Sequence, residues 1–285
     1  MKTALLILGW IILAPVFGGI LAGIDRIITA RMQSRVGPPV LQPFYDVFKL
    51  LSKQNIVVNA FQNFYMVCFL VFVIITGVLF FSGGDLLLTI FALTVAGVFF
   101  VLGAYSPNSP YSNIGAEREL IQMMSYEPAL IISAIGMYLV TNSWNVNEII
   151  ASSKPVIKYL PGVFFAFVFV LTIKLRKSPF DLSTSHHGHQ ELVKGVTTEF
   201  AGPALAIIEI AHWYENILLL GFIFLFFSFN WIAAIIAIIA TYFLEILIDN
   251  TYARLTWHFT VRASWLVAAL FGVSNIILLL LLNGK

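Results

Sequence analysis

Charge is scarce in this chain, and cysteine is scarcer. Only 11% of its 285 residues are Asp, Glu, Lys or Arg, less than half the share usual in a soluble domain. A water-soluble fold needs that charge to cover its surface, so the shortage excludes one. The single cysteine, Cys68, excludes an internal disulfide. It also excludes cysteine ligation of an iron–sulfur or nickel–iron centre by this chain, since such centres need several thiolates. A formal net charge of +2 supplies no basic field of the kind that marks nucleic-acid binding, and no nucleic-acid partner is expected. No internal repeat or low-complexity linker divides the chain, so residues 1–285 read as a single transmembrane domain.

What the chain has instead is apolar length. Hydrophobic residues make up 60% of it and the mean hydropathy is +0.93. The apolar runs are long enough for helices rather than barrel strands. The expected fold is therefore an all-α, polytopic integral membrane protein. Eight spans are expected, at about Leu5–Ile24, Phe64–Phe81, Leu86–Tyr105, Leu120–Val140, Leu160–Ile173, Glu199–Phe227, Trp231–Ile248 and Trp265–Leu282. The fifth is short. The first follows only Lys2 and has no small-residue cleavage site, so it reads as a retained helix rather than a signal peptide.

Eight spans put both termini on one side of the plasma membrane. Twelve of the 16 basic residues fall in the loops after spans one, three, five and seven. The positive-inside bias then places those loops in the cytoplasm and both termini outside. Within the first of them, "LQPFYDVFKLLSK" sets Leu41, Phe44, Phe48 and Leu51 at helical spacing, with Asp46, Lys49 and Lys53 on another side. Such a helix lies in the membrane interface. It also suits the docking of a soluble partner, and the two readings are compatible.

Carboxylates recur inside the apolar runs. Each costs on the order of 2.5–3.5 kcal/mol at the centre of a membrane helix. The chain keeps Glu127 in the fourth span, Glu209 and Glu215 in the sixth and Glu245 in the seventh, with Glu119 at the start of the fourth. Glu191 and Glu199 flank the entry of the sixth. His212 is three residues from both Glu209 and Glu215, close enough to touch either along a helix. One buried Glu can simply hold two helices together. A series of them adds cost without stability, which points to a path that accepts and releases protons. By contrast "SPFDLSTSHHGHQEL" carries His186, His187 and His189 at a spacing that matches no usual zinc pattern. A hydrated or partner-facing loop suits them better than a metal.

The stretches "SRVGPPVLQPFYDVFKLLSKQ", "IQMMSYEPAL" and "SPFDLSTSHHGHQELVKGVTTEFAG" resemble the first loop, the fourth span and the fifth-to-sixth loop of the complex I subunit 1 family. The resemblance covers nearly the whole chain. Within the family, "STSHHGHQEL", "IDNTYARLTW", Ala204 and His212 depart from the quinone-reducing branch and are similar to the membrane subunit of Ech-type energy-converting [NiFe] hydrogenases. That resemblance implies a component without redox centres of its own. The NiFe centre and iron–sulfur clusters would sit in partners: hydrogenase large and small subunits and iron–sulfur subunits on the cytoplasmic side. An antiporter-like membrane subunit would lie alongside, and ferredoxin would act indirectly. It also implies a partner-facing surface made of Arg31, Arg35, Gly37, Pro38, Glu117, Glu119, Pro179, Phe180, Asp181, the three histidines and Arg254. A quinone- or phenazine-chamber subunit is the alternative. A free-standing secondary transporter is a second alternative, for which no inverted repeat is seen.

Overall fold

The computed structural model describes residues 2–152, 154–180, 183 and 194–283. The chain is helical throughout its regular elements: α1 (Lys2–Met32), α2 (Gln42–Leu51), α3 (Ala60–Phe81), α4 (Leu86–Tyr105), α5 (Pro110–Thr141), α6 (Val146–Ala151), α7 (Val156–Tyr159), α8 (Pro161–Lys174), α9 (Pro203–Phe226), α10 (Trp231–Thr251), α11 (Trp257–Val267) and α12 (Ser274–Asn283). A π-helical turn, Ala268–Val273, joins α11 to α12, so the two form one continuous apolar rod. Seven of these helices are long and apolar enough to cross a membrane, and α8 is a shorter apolar helix of 14 residues. The eight expected spans are all present, the fifth being the short one.

The boundaries differ from the sequence expectation where helices outrun the bilayer. At about 1.5 Å per residue, the 31 residues of α1 and the 32 of α5 exceed a hydrocarbon core of about 30 Å. Hydropathy detects only the apolar part of each. The last turns of α1 therefore carry Arg26 and Arg31, and the first turns of α5 carry Glu117, Arg118 and Glu119.

The chain packs as two compact units, which share α3, α5 and α9 along the sequence. The first contains residues 1–78, 92–121 and 181–217; the second contains 79–91, 122–180 and 218–285. In the first, Trp10 donates its indole N–H to the Ile74 carbonyl at 3.1 Å, and Tyr214 donates to the Ile11 carbonyl at 2.6 Å. The Trp10 ring lies where a side chain on Gly77 would stand, so only glycine permits this approach. In the second, Phe80, Phe167, Phe222 and Phe226 form a ring-on-ring core. Asn275 closes the other end: its Oδ1 accepts from the N–H of Gly162 and Val163 at 2.9 and 3.2 Å. Those are two of the orphan donors at the start of α8, and in hydrocarbon they need a protein partner.

Helix α2 confirms the amphipathic reading and corrects its detail. Leu41, Phe48 and Leu51 are exposed, together with Tyr45. Phe44 does not join them: its ring meets that of Trp213 edge-on at 5.1 Å. Pro43 and Val47 are buried beside it. The helix is apolar on two sides, one toward the protein and one outward, with Asp46 and Lys49 between.

Candidate functional site

Helix α9 positions the densest group of titratable side chains in the first unit. His212 and Glu215 lie one turn apart, and His212 Nδ1 stands 3.0 Å from Glu215 Oε2. Glu215 is only 4% exposed. The imidazole edge faces two rings, Phe69 and Phe100, each with its centroid 5.7 Å away. These rings shut out water from the apolar side and leave the carboxylate as the polar neighbour. His212 Nε2 is buried and has no hydrogen-bond partner among the described residues. A His–Glu pair of this kind can hold one proton between two sites, with a second nitrogen open to another carrier.

The other member of the expected pair behaves differently. Glu209 makes no hydrogen bond to His212. It lines a cavity of about 710 Å³ together with Arg26, Lys49, Lys53, Lys194 and Trp213. Glu199 is held through its backbone, whose carbonyl accepts from Gln62 Nε2 at 3.0 Å. Between the two, Gly202 takes a left-handed φ of +54°, and a Cβ there would come within 2.7 Å of the Gln54 carbonyl. Only glycine lets the chain enter α9 so close to the end of the first loop.

In the second unit, Glu245 on α10 has no exposed surface at all. Neither of its oxygens makes a hydrogen bond of ordinary length. Thr172, Lys177 and Asp249 are the polar side chains in whose field it lies. Lys177 is itself buried and stands 3.5 Å from Asp249, which also accepts from the Ser178 N–H at 2.9 Å. Glu127 lies on α5 in a mostly apolar recess bounded by Met124, Pro128, Ile131, Ile132 and Trp265.

The residues expected to meet a partner fall into three sets. Arg31, Arg35, Glu117 and Arg254 are exposed, and Gly37 and Pro38 are partly so. Glu119, Pro179 and Phe180 are buried within the chain, where they shape the base of the loop instead of presenting a surface. Asp181, His186, His187, His189 and Glu191 lie outside the described residues. The "SPF" segment is pinned from three directions that sequence spacing does not reveal. Gln122 Nε2 donates to the Phe180 carbonyl at 2.8 Å, the Leu255 N–H donates to the Pro179 carbonyl at 3.1 Å, and Asp249 takes the Ser178 N–H. Asp249 could have been found, since it lies one helical turn beyond Glu245.

Comparison with known proteins covers the whole of this arrangement. The family model described as NADH dehydrogenase matches residues 3–280. Hydrogenase-4 component C of Escherichia coli K12 is 27% identical over 289 aligned positions, spanning 90% of this chain and 88% of that protein. A membrane component of the NADH-quinone oxidoreductase of Bacillus cytotoxicus is 33% identical, over 68% of this chain and 64% of that protein. A chain of the membrane-bound sulfane sulfur reductase, an archaeal respiratory membrane complex, superposes with a TM-score of 0.85 at 25% identity, covering 96% of this chain and all of its own. These relatives carry the names of components of larger redox assemblies, and the chain belongs to the NADH dehydrogenase subunit 1 family, the membrane subunits of complex I-like and hydrogenase-type respiratory complexes.

Proposed function

We propose that this chain is the membrane-anchoring and energy-coupling subunit of an energy-converting [NiFe] hydrogenase. Electrons from reduced ferredoxin and two protons make H₂ in the soluble arm, and the energy released moves protons or Na⁺ outward; in reverse, the ion gradient drives ferredoxin reduction. The chain supplies the membrane foot of that arm and titratable groups for the coupling. Iron–sulfur clusters and the NiFe centre belong to its partners, as does an antiporter-like membrane subunit. The exposed arginines of the first and last loops, Arg31, Arg35 and Arg254, face the arm on the cytoplasmic side.

Correspondence in length carries the reading. The alignment with the hydrogenase component runs nearly end to end in both chains, whereas that with the B. cytotoxicus quinone oxidoreductase component leaves about a third of each outside it. The quinone-linked alternative keeps one observation in its favour: the higher identity to that component within the aligned part.

Purification of the native complex decides between them. The expected preparation contains nickel, several iron–sulfur polypeptides and H₂-evolving activity with reduced ferredoxin. A nickel-free complex with bound quinone would overturn the hydrogenase reading in favour of the alternative.

A further inference from the structure

The cavity beside α2 has a composition that neither helix packing nor proton transfer needs. Its wall includes four cations, Arg26, Lys49, Lys53 and Lys194, and two carboxylates, Asp46 and Glu209, leaving a formal surplus of two positive charges. All four cations are exposed. The apolar members are set deeper: Pro43, Val47, Phe200 and Trp213 are buried, and Leu50 and Leu205 are half-buried. The space is thus charged at its rim and apolar at its floor.

The acidic groups do not cancel this rim. Asp46 is already engaged, by Arg26 at 2.8 Å, Lys49 at 3.6 Å and Gln42 at 3.1 Å. The ammonium groups of Lys53 and Lys194 have no ion-pair partner among the described residues. They stand on the two sides of the cavity, one after α2 and one before α9. Two uncommitted cations facing one space attract a phosphate.

The neighbouring surface says which phosphate. The outward face of α2 carries Leu41, Tyr45, Phe48 and Leu51, all at least 46% exposed. Ile56 and Val58, on the segment that leaves the cavity, are 69% and 64% exposed. An amphipathic helix with that face lies at the level of the lipid headgroups. Basic pockets at that level on the side of the membrane rich in Lys and Arg match anionic headgroups. A volume of about 710 Å³ is within the usual range for small-molecule sites, roughly 300–1,000 Å³. It accepts a headgroup and the upper part of an acyl chain laid along Leu50, Leu205 and Trp213.

We propose that the cavity between α2 and the start of α9 is a binding site for one anionic phospholipid, its phosphate held by Lys53 and Lys194 and an acyl chain lying on the apolar floor. The site holds whichever redox arm the chain carries. A bound lipid of this kind fixes α2, and with it the first loop, against α9.

The test uses the full chain in detergent, probed by native mass spectrometry with phosphatidylglycerol, phosphatidylcholine and glycerol 3-phosphate. Phosphatidylglycerol should be retained in preference to phosphatidylcholine. The double variant K53Q/K194Q should lower that retention by on the order of tenfold. Both residues are exposed, so the variant keeps its fold. The exposed Lys158→Gln, in the other unit, should retain the lipid as the unaltered chain does, which separates a site from general attraction to charge. Equal retention of the two phospholipids, or an unchanged affinity in K53Q/K194Q, would overturn the proposal. So would glycerol 3-phosphate competing as well as the intact lipid, since the site would then be one for soluble phosphate.

Discussion

Pro128 removes an amide from the middle of α5, and with it the hydrogen bond that the Met124 carbonyl would accept four residues earlier. Water is not at hand there to replace the bond. Trp265 replaces it, donating its indole N–H to that carbonyl at 3.1 Å. Trp265→Phe keeps the ring and deletes the donor. Hydrogen bonds between membrane helices average about 0.6 kcal/mol, so W265F should lower stability by about that amount and no more than about 1.7 kcal/mol. Reversible unfolding of the reconstituted chain measures it, and a neutral W265F would mean the carbonyl finds another donor. Such a pairing could not have been read in advance. Glu209, His212 and Glu215 were legible because three-residue spacing along one helix is written in the chain. Trp265 and Met124 are 141 residues apart, as Lys177 and Asp249 are 72 apart, and no periodicity reports who faces whom. Even the legible trio was half right. Both neighbours of His212 were within reach, and the fold pairs it with the buried one, Glu215, leaving Glu209 in the charged cavity.

Among the elements, α2 shows what hydropathy can and cannot specify. Its existence and both its ends follow from Pro43 in the first turn and from alternating apolar and charged residues. Its orientation does not, because apolar residues occupy two sides and only packing chooses between them. Small residues of α1 make that choice: a side chain at Gly19 would fall inside the Phe44 ring, and one at Gly18 would come within 2.6 Å of Trp213. Val47, Ala206 and Trp213 then close a local core with Phe44, Leu50 and Ile210. Charge adds a smaller tether, Arg26 to Asp46. Burial alone would raise the Asp46 carboxyl, but hydrogen bonds from Arg26 and Gln42 and the charges of Arg26 and Lys49 outweigh it and hold the group below its ordinary 3.8. A depressed carboxyl stabilises the folded state above its ordinary value and loses that contribution as pH falls through the folded value. Arg26→Gln should therefore loosen α2 at pH 7. The difference from the unaltered chain should persist down to about pH 3.8 and vanish below it. Both partners are substantially exposed, at 45% and 31%, so the effect stays under about 1 kcal/mol and shrinks with salt. Amide exchange in α2, followed across pH, reads it directly.

For the molecule as a whole, the question is why an apolar chain keeps its carboxylates. Glu245 has no exposure and Glu215 has 4%, and both units contain members of the set. The eight-helix architecture was legible because bilayer thickness imposes a length on every span. What the carboxylates do was not, because a buried Glu that braces and one that carries protons look alike in a sequence. The structure sharpens the distinction. A bracing carboxylate should be hydrogen-bonded, yet Glu245 has no bond of ordinary length and Glu209 has none among the described residues. Substitution by Gln at Glu127, Glu199, Glu209, Glu215 or Glu245 keeps the shape and deletes the titration. Since burying each charge is unfavourable by about 2.5–3.5 kcal/mol, neutral Gln should leave assembly intact. At least two of the five variants should pump less, with ΔpH and membrane potential recorded in sealed vesicles during H₂ evolution. Hydrogen evolution from an artificial donor should change much less, because electrons do not pass through this chain. Glu215→Gln should show the effect most clearly. It leaves His212 with a partner that can share a hydrogen bond but cannot take a proton. If all five variants pump at full rate, the carboxylates brace the helices and the ion path runs through another component of the complex.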